Sequence, residues 1–128
     1  MIPTDLKYTK THEWVRLEGD IVTMGITKYA AEQLGDIVFM ELPSVGKKLA
    51  AAGVLGVIES VKAAVEIFAP VAGEVTDTNQ AVTTDLTLIS NDPYGAGWMV
   101  KLRAENPIEV ENLMDGLQYE RFLNEQQH

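Results

Sequence analysis

Apolar and polar residues alternate with a period of two along much of the chain, which is the pattern of half-buried β-strands. Segments 14–17 and 21–26 alternate in this way around Glu18-Gly19-Asp20, which predicts a hairpin with Gly19 at its tip. Further strands are predicted by short runs that end near Gly, Pro or Asn: 36–42, 53–58, 65–68, 74–77, 87–90 and 98–103. The pattern therefore predicts a mainly β protein.

Two segments depart from the alternation and predict helices. Residues 28–34 lie between Thr27 and Gly35, and these two residue types are typical of a helix N-cap and C-terminus. A helical tail is predicted after Asn106, with that residue as N-cap and a bend at Asp115-Gly116. Its apolar stripe is expected at Val110, Leu113, Met114 and Leu117. We expect these helices to cover edges of the β structure.

The middle of the chain contains a faint internal repeat. Gly35-Asp36-Ile37 resembles Gly73-Glu74-Val75 at a spacing of 38 residues. A second set matches at a spacing of 33: Gly46, Leu49 and Leu55 with Asn79, Val82 and Leu88. These matches predict two similar halves joined by residues 59–63. Such a connector is expected at an exposed tip, where the amine of Lys62, flanked by small residues, would be open to another enzyme.

Composition narrows the chemistry of this 128-residue chain. The absence of Cys excludes disulfides, thiolate metal sites and Cys nucleophiles, and the only histidines are His12 and His128. A net charge of 10 − 19 = −9 argues against nucleic acid and favours partners with basic patches. We expect no membrane span, no bound metal and no signal peptide before Met-Ile-Pro, hence a cytoplasmic protein. A mature organellar chain would place it in the mitochondrial matrix.

Several motifs resemble one family along nearly the whole chain. Residues 59–64 (ESVKAA) and 69–75 (APVAGEV) resemble the lipoyl-attachment region of the H proteins of the glycine cleavage system. Residues 8–15 (YTKTHEWV) are similar to the opening motif of that family. Residues 25–43 and 92–98 (DPYGAGW) resemble its remaining signatures. The motifs follow in the family's order and spacing.

The resemblance implies one carrier domain over 1–128 with a flattened β-sandwich of the lipoyl and biotinyl type, also called a barrel-sandwich hybrid. It implies lipoic acid in amide linkage to Lys62, with the protein supplying position and a docking face. The implied partners are glycine decarboxylase (P protein), aminomethyltransferase (T protein), dihydrolipoyl dehydrogenase (L protein), and a lipoate ligase or octanoyltransferase. The chain would be a monomeric carrier and not an enzyme.

Local departures from the family leave alternatives open. Val65-Glu66 stands where the family usually has Ser-Asp, and residues 83–86 replace a more acidic, Pro-containing stretch. A specialised paralogue that donates lipoyl groups to other complexes is one alternative. A biotin carrier is another, although Val61 and Ala63 replace the Met residues that usually flank its lysine. A lipoyl domain of a 2-oxoacid dehydrogenase would be accompanied by a Pro/Ala-rich linker, which this sequence lacks.

Four other residues are candidates for supporting roles. Glu13 and Glu66 are candidate carboxylates for shielding the ammonium of the loaded arm, and Glu59 is a candidate recognition residue for the modifying enzyme. His12 beside Glu13 suggests a general base with a carboxylate partner, which is the pattern of an independent enzyme. An interaction module with unmodified Lys62 is a third class. Trp14 and Trp98 are expected to fill the sandwich, and core packing is expected for four methionines: Met24, Met40, Met99 and Met114.

Overall fold

The computed structural model describes residues 2–126 and contains two antiparallel sheets. The strands are β1 (Lys7–Tyr8), β2 (Glu13–Glu18), β3 (Ile21–Ile26), β4 (Ile37–Glu41), β5 (Lys48–Leu49), β6 (Val54–Ser60), β7 (Ala64–Phe68), β8 (Gly73–Thr78) and β9 (Val100–Ala104). The larger sheet has the order β1-β2-β3-β9-β8-β5, and the smaller has the order β4-β6-β7. This arrangement confirms the predicted β-sandwich.

Short helices connect and cover the sheets. They are α1 (Lys28–Leu34), α2 (Ala81–Thr84), α3 (Thr87–Asn91), a 3₁₀ helix (Pro107–Asn112) and α4 (Gly116–Gln126). The prediction for α1 is confirmed at both ends. The Ala30 amide donates to Thr27 Oγ1 at 3.2 Å, and Gly35 ends the helix at a φ of 73°, where a side chain would be strained.

The predicted strand over 87–90 is wrong, because these residues form α3. Asp85 turns the chain into this helix by accepting hydrogen bonds from the Thr87 amide at 3.2 Å and from the Thr87 hydroxyl. A run of four residues is too short for its apolar pattern to distinguish a strand from a helix. The predicted repeat at a spacing of 33 residues is also wrong, because its matched residues lie in different kinds of element: Leu55 lies in β6 and Leu88 in α3. The 38-residue match relates Ile37 in β4 to Val75 in β8.

The C-terminal tail is helical but interrupted. Asn106 makes no side-chain capping bond, and the chain forms a 3₁₀ helix before it extends so that Met114 bridges to Tyr8. The bend at Asp115-Gly116 is confirmed, because the Asp115 side chain accepts from the Gln118 amide at 2.8 Å and starts α4. Leu117 is 57% exposed, so the predicted apolar stripe does not continue across the bend.

Two apolar clusters stabilise the molecule. The main core lies between the sheets and includes Met24, Met40, Met99, Ile58 and Leu102. The second cluster packs α4 against β1 and β2, and includes Tyr8, Trp14, Tyr119 and Leu123. Met24, Met40 and Met99 confirm the packing prediction. Trp14 belongs to the second cluster and Trp98 packs against it, so neither fills the sandwich, because the tail brings a separate apolar surface to that end of the molecule. Met114 also packs against this second cluster.

Candidate functional site

Lys62 lies in the turn of the β6–β7 hairpin with its side chain exposed. Ser60 organises this turn: its amide donates to the Ala63 carbonyl at 2.8 Å, and its Oγ accepts from the amides of Lys62 and Ala63 at 3.2 and 3.1 Å. The Val61 amide donates to the Asp36 carbonyl at 3.0 Å and ties the turn to the loop after α1. Local bonds thus fix the backbone while the side chain is left to solvent.

The side chain of Lys62 passes close to Gly35. A Cβ on Gly35 would lie 3.5 Å from Lys62 Cε and 3.9 Å from Nζ, so the lysine runs directly over this glycine. The two residues come together because the hairpin turn bonds to Asp36, the next residue along the chain. These distances are ordinary van der Waals contacts, so a side chain at position 35 is disfavoured by the backbone φ of 73° and not by the Lys62 stem.

A cleft of about 360 Å³ opens beside the turn, between α1 and β7, and we call it the α1 cleft. It reaches from Ala63, the neighbour of Lys62, to Glu13 at the start of β2. Its walls include His12, Glu13, Tyr29, Gln33, Val65 and Glu66. Glu13 and Glu66 therefore border the same cleft, although 52 residues separate them in the sequence. Glu66 is exposed on edge strand β7.

Glu13 is a buried carboxylate with only 2% of its surface exposed. Thr9 Oγ1 donates to Glu13 Oε1 at 2.6 Å and Thr11 Oγ1 donates to the same oxygen at 2.5 Å. Oε2 accepts only a long bond of 3.4 Å from the Phe68 amide. Burial raises the pKa of the Glu13 carboxyl, and the hydrogen bonds from the two threonines oppose that shift. Within residues 2–126, no cation forms an ion pair with Glu13.

His12 belongs to a separate hydrogen-bonded chain. Its backbone has a φ of 71°, in the left-handed region, and its Nδ1 lies 2.8 Å from the Tyr119 hydroxyl. That hydroxyl lies 2.7 Å from Thr27 Oγ1, the N-cap of α1. Burial lowers the pKa of the His12 imidazole. The side chain of His12 is thus paired with Tyr119 and not with Glu13, so the structure does not form the predicted base–carboxylate pair.

Sequence reasoning missed a second cavity and the role of Thr9. The cavity has a volume of about 520 Å³ and is lined by residues that include Tyr8, Lys10, Phe68 and Met114. It shares Thr11 and Glu13 with the α1 cleft, so Glu13 lies between the two. The only signal in the sequence is the placement of hydroxyl residues two and four positions before Glu13.

The chain is similar to known proteins over nearly its whole length. A sequence model of the glycine cleavage H-protein family matches residues 6–126. The chain belongs to this family. H proteins are lipoyl carriers, so the exposed lysine and the adjacent cleft occur in a lipoyl-carrier family. No helix among residues 2–126 is long and apolar enough to span a membrane.

Individual H proteins are similar over almost their full length. The glycine cleavage system H protein of Symbiobacterium thermophilum is 47% identical over 124 residues, which cover 97% of each chain. That of Laribacter hongkongensis is 51% identical over 121 residues, covering 94% of this chain and 95% of the relative. A crystal structure of the H protein from Mycobacterium marinum superposes with a TM-score of 0.86 at 34% identity, covering 99% of this chain and all of that one.

Proposed function

We propose that this protein is the lipoyl carrier of a glycine cleavage system, with lipoic acid attached to Lys62. The observation that carries the proposal is the position of Lys62: an exposed amine on a rigid hairpin turn, next to a cleft that ends at a buried carboxylate. We take residues 1–128 as one carrier domain that acts in the cytoplasm or, for an organellar chain, in the mitochondrial matrix.

The residues around Lys62 fit the attachment of a lipoyl group. The Nζ atom attacks the activated carboxyl carbon of lipoate, an amide bond forms, the activating group leaves, and the amine loses a proton. The neighbours of Lys62 along the chain, Val61 and Ala63, are apolar and carry no charge that would compete with the amine. When bound, the dithiolane supplies a sulfur that can carry an aminomethyl group between active sites.

The α1 cleft is suited to hold the end of that arm. Apolar side chains such as Ile26 and Ile67 form part of its lining, and Glu13 presents Oε2 with one weak donor, so this oxygen can accept a hydrogen bond from a primary ammonium. The threonines fix Oε1 and thereby orient the carboxylate. Glu66 adds a second negative charge at the exposed edge of the cleft. We assign both acids to shielding the carried group from water.

The carrier role implies partners that perform the chemistry. We propose glycine decarboxylase as the donor of the aminomethyl group, aminomethyltransferase as its acceptor and dihydrolipoyl dehydrogenase as the enzyme that reoxidises the arm. A lipoate ligase or an octanoyltransferase would attach the acyl group. On this proposal the isolated protein turns over no substrate, and rigorously purified protein tested with glycine alone should release no carbon dioxide.

Intact mass of the protein after incubation with lipoate, ATP and a purified lipoate ligase tests the attachment site. The wild type should gain one lipoyl group, and Lys62→Arg, which keeps the charge but removes the acylatable amine, should gain none. Because the side chain is exposed, the thermal midpoint of Lys62→Arg should stay close to that of the wild type. Lys101→Arg, on β9, is the matched control and should be modified normally. Incorporation that persists in Lys62→Arg would contradict the assignment.

A further inference from the structure

The outer face of the three-stranded sheet carries a defined set of side chains. Met40 and Ile58 pair across β4 and β6 and are buried, so the residues that alternate with them face solvent. Pairing places the outward residues in two rows across β4, β6 and β7: Phe39, Glu59 and Ala64 in the first row, and Glu41, Val57 and Glu66 in the second. The first row is adjacent to the turn that holds Lys62.

Exposed apolar residues are concentrated on this sheet. Of the nine large apolar side chains that are exposed in the described part of the chain, five belong to its strands or its turn: Val38, Phe39, Val54, Val61 and Val65. Phe39 is 46% exposed and is the only aromatic residue among the nine. Val65 pairs with the inward-facing Ile58, and Val54 lies at the opposite end of β6 from Glu59, so the exposed apolar residues nearest Phe39 are Val38 and Val61. Exposed apolar residues beside an exposed aromatic ring are typical of a protein–protein contact.

The charged residues on the same sheet are nearly all acidic. Residues 36–41 and 54–68 contain four acids, Asp36, Glu41, Glu59 and Glu66, and Lys62 is their only cation. All four acids are exposed. The single ion pair among residues 2–126 joins Arg103 to Asp20, so none of these four acids is neutralised by a neighbouring side chain. The face is therefore complementary to an apolar pocket with a basic rim.

We propose that Phe39 is the anchor by which the enzyme that acylates Lys62 docks on this face, with Glu59 and Glu41 meeting basic residues around the enzyme's apolar pocket. This inference rests on the proposed function of Lys62. The acylating enzyme meets the protein before any arm exists, so all of its affinity for the carrier comes from the protein surface. Enzymes that act later also bind the arm and depend less on this face.

The spacing of the anchor and the target lysine suits this role. Phe39 lies directly opposite Glu59, and Glu59 precedes Lys62 by three residues. β6 ends at Ser60 and the turn follows, so the backbone from Glu59 to Lys62 spans at most about 10 Å and an enzyme that holds the ring has the amine within reach. Because Ser60 fixes the intervening turn, a contact at Phe39 also sets the direction from which Lys62 is presented.

The test is the kcat/KM for acylation of the full-length protein by a purified lipoate ligase with ATP and lipoate. Phe39→Ala should lower kcat/KM about thirtyfold, mainly through KM, which is the scale of an anchor side chain at an interface. Phe39→Leu keeps an apolar side chain and should recover most of the rate. Leu117→Ala on α4 removes a side chain of similar exposure and should behave as wild type. Glu41→Gln and Glu59→Gln should each lower the rate and weaken its dependence on salt.

An unchanged rate for Phe39→Ala, or an equal loss in Leu117→Ala, would overturn the anchor. It would also be overturned if acylation were normal and only reoxidation of the reduced arm by dihydrolipoyl dehydrogenase were slowed, since the face would then serve a later partner. Final stoichiometry separates this outcome from failure of the proposed function. With excess ligase, a slow Phe39→Ala still ends with one lipoyl group on Lys62, whereas a wild type that gains none would refute the attachment site itself.

Discussion

Lys62 adjoins the α1 cleft through its neighbour Ala63, Glu13 lines the same cleft, and the environments of the two side chains are opposite. Lys62 is exposed on a hairpin turn whose hydrogen bonds involve only backbone groups and the Ser60 hydroxyl. Glu13 is 2% exposed, and two threonine hydroxyls and a backbone amide surround its carboxylate. One side chain is left free to move, and the other is fixed in advance.

The contrast reflects what each residue has to do. A lysine that carries a group between enzymes must leave the surface, and contacts that held it would have to be broken each time. A carboxylate that receives a cation binds it better when water has already been removed and the oxygen is oriented, because less reorganisation is then needed. As a consequence, the free energy of unfolding depends on whether Glu13 is ionised and therefore on pH, whereas Lys62 is expected to contribute little to stability.

The largest effect that would test this contrast concerns the group carried on the arm. Glu13→Gln removes the charge while keeping an oxygen that can accept the threonine hydrogen bonds. A hydrogen bond to a charged group contributes roughly 1.5–3 kcal/mol, so loss of the aminomethyl group from purified, loaded protein should be about tenfold faster or more. The decay is measured by intact mass at a series of times after the decarboxylase and glycine are removed.

Glu66→Gln is the matched control for that experiment. Because Glu66 is exposed at the edge of the cleft, solvent screens its charge, and the decay should change by less than about fivefold. Lipoylation of unloaded Glu13→Gln should proceed as in wild type, since Glu13 is not part of the lysine hairpin. Identical decay of wild type and Glu13→Gln would show that the Glu13 carboxylate does not hold the aminomethyl group.

A smaller effect is expected on the free energy of unfolding, from the hydrogen bonds that connect α4 with His12 and with the N-cap of α1. Tyr119→Phe removes the hydroxyl that lies between His12 Nδ1 and Thr27 Oγ1. Thr27 is fully buried, so the free energy of unfolding should fall by about 1 kcal/mol in urea titrations. Tyr29→Phe removes a hydroxyl with no hydrogen bond among residues 2–126 and should have little effect. Equal stability of both variants would contradict the link between α4 and α1.

The smallest effect is a pH dependence specific to Glu13. Burial raises the folded-state pKa of this carboxyl above 4.5, so the folded state binds its proton more tightly than the unfolded state does. The free energy of unfolding therefore loses a contribution from Glu13 as pH rises above 4.5 through the raised pKa. Relative to wild type, Glu13→Gln should become more stable across that window and show a constant difference below it. A difference that runs the other way, in matched urea titrations from pH 4 to 7, would contradict the shift.

The sequence by itself determined the local elements whose signals are short in range. Alternation and Gly19 predicted the β2–β3 hairpin, and Thr27 with Gly35 predicted both ends of α1. The exposed position of Lys62 also followed from the sequence, because small neighbours in a turn between two strands allow little burial. These features depend on residues close together in the chain, so propensity and periodicity were sufficient to predict them.

Only the tertiary structure decided what distant residues do together. Residues 87–90 form α3, which places Ile89 in the main core, and four residues were too few to distinguish a helix from a strand. The tail broke at residue 113 because Met114 pairs with Tyr8, more than 100 residues away. Glu13 is buried by strands and loops that no local pattern connects, so its raised pKa and its place beside Glu66 could not be derived from sequence spacing. Burial and desolvation are properties of the assembled fold, and the chemistry at the end of the cleft depends on both.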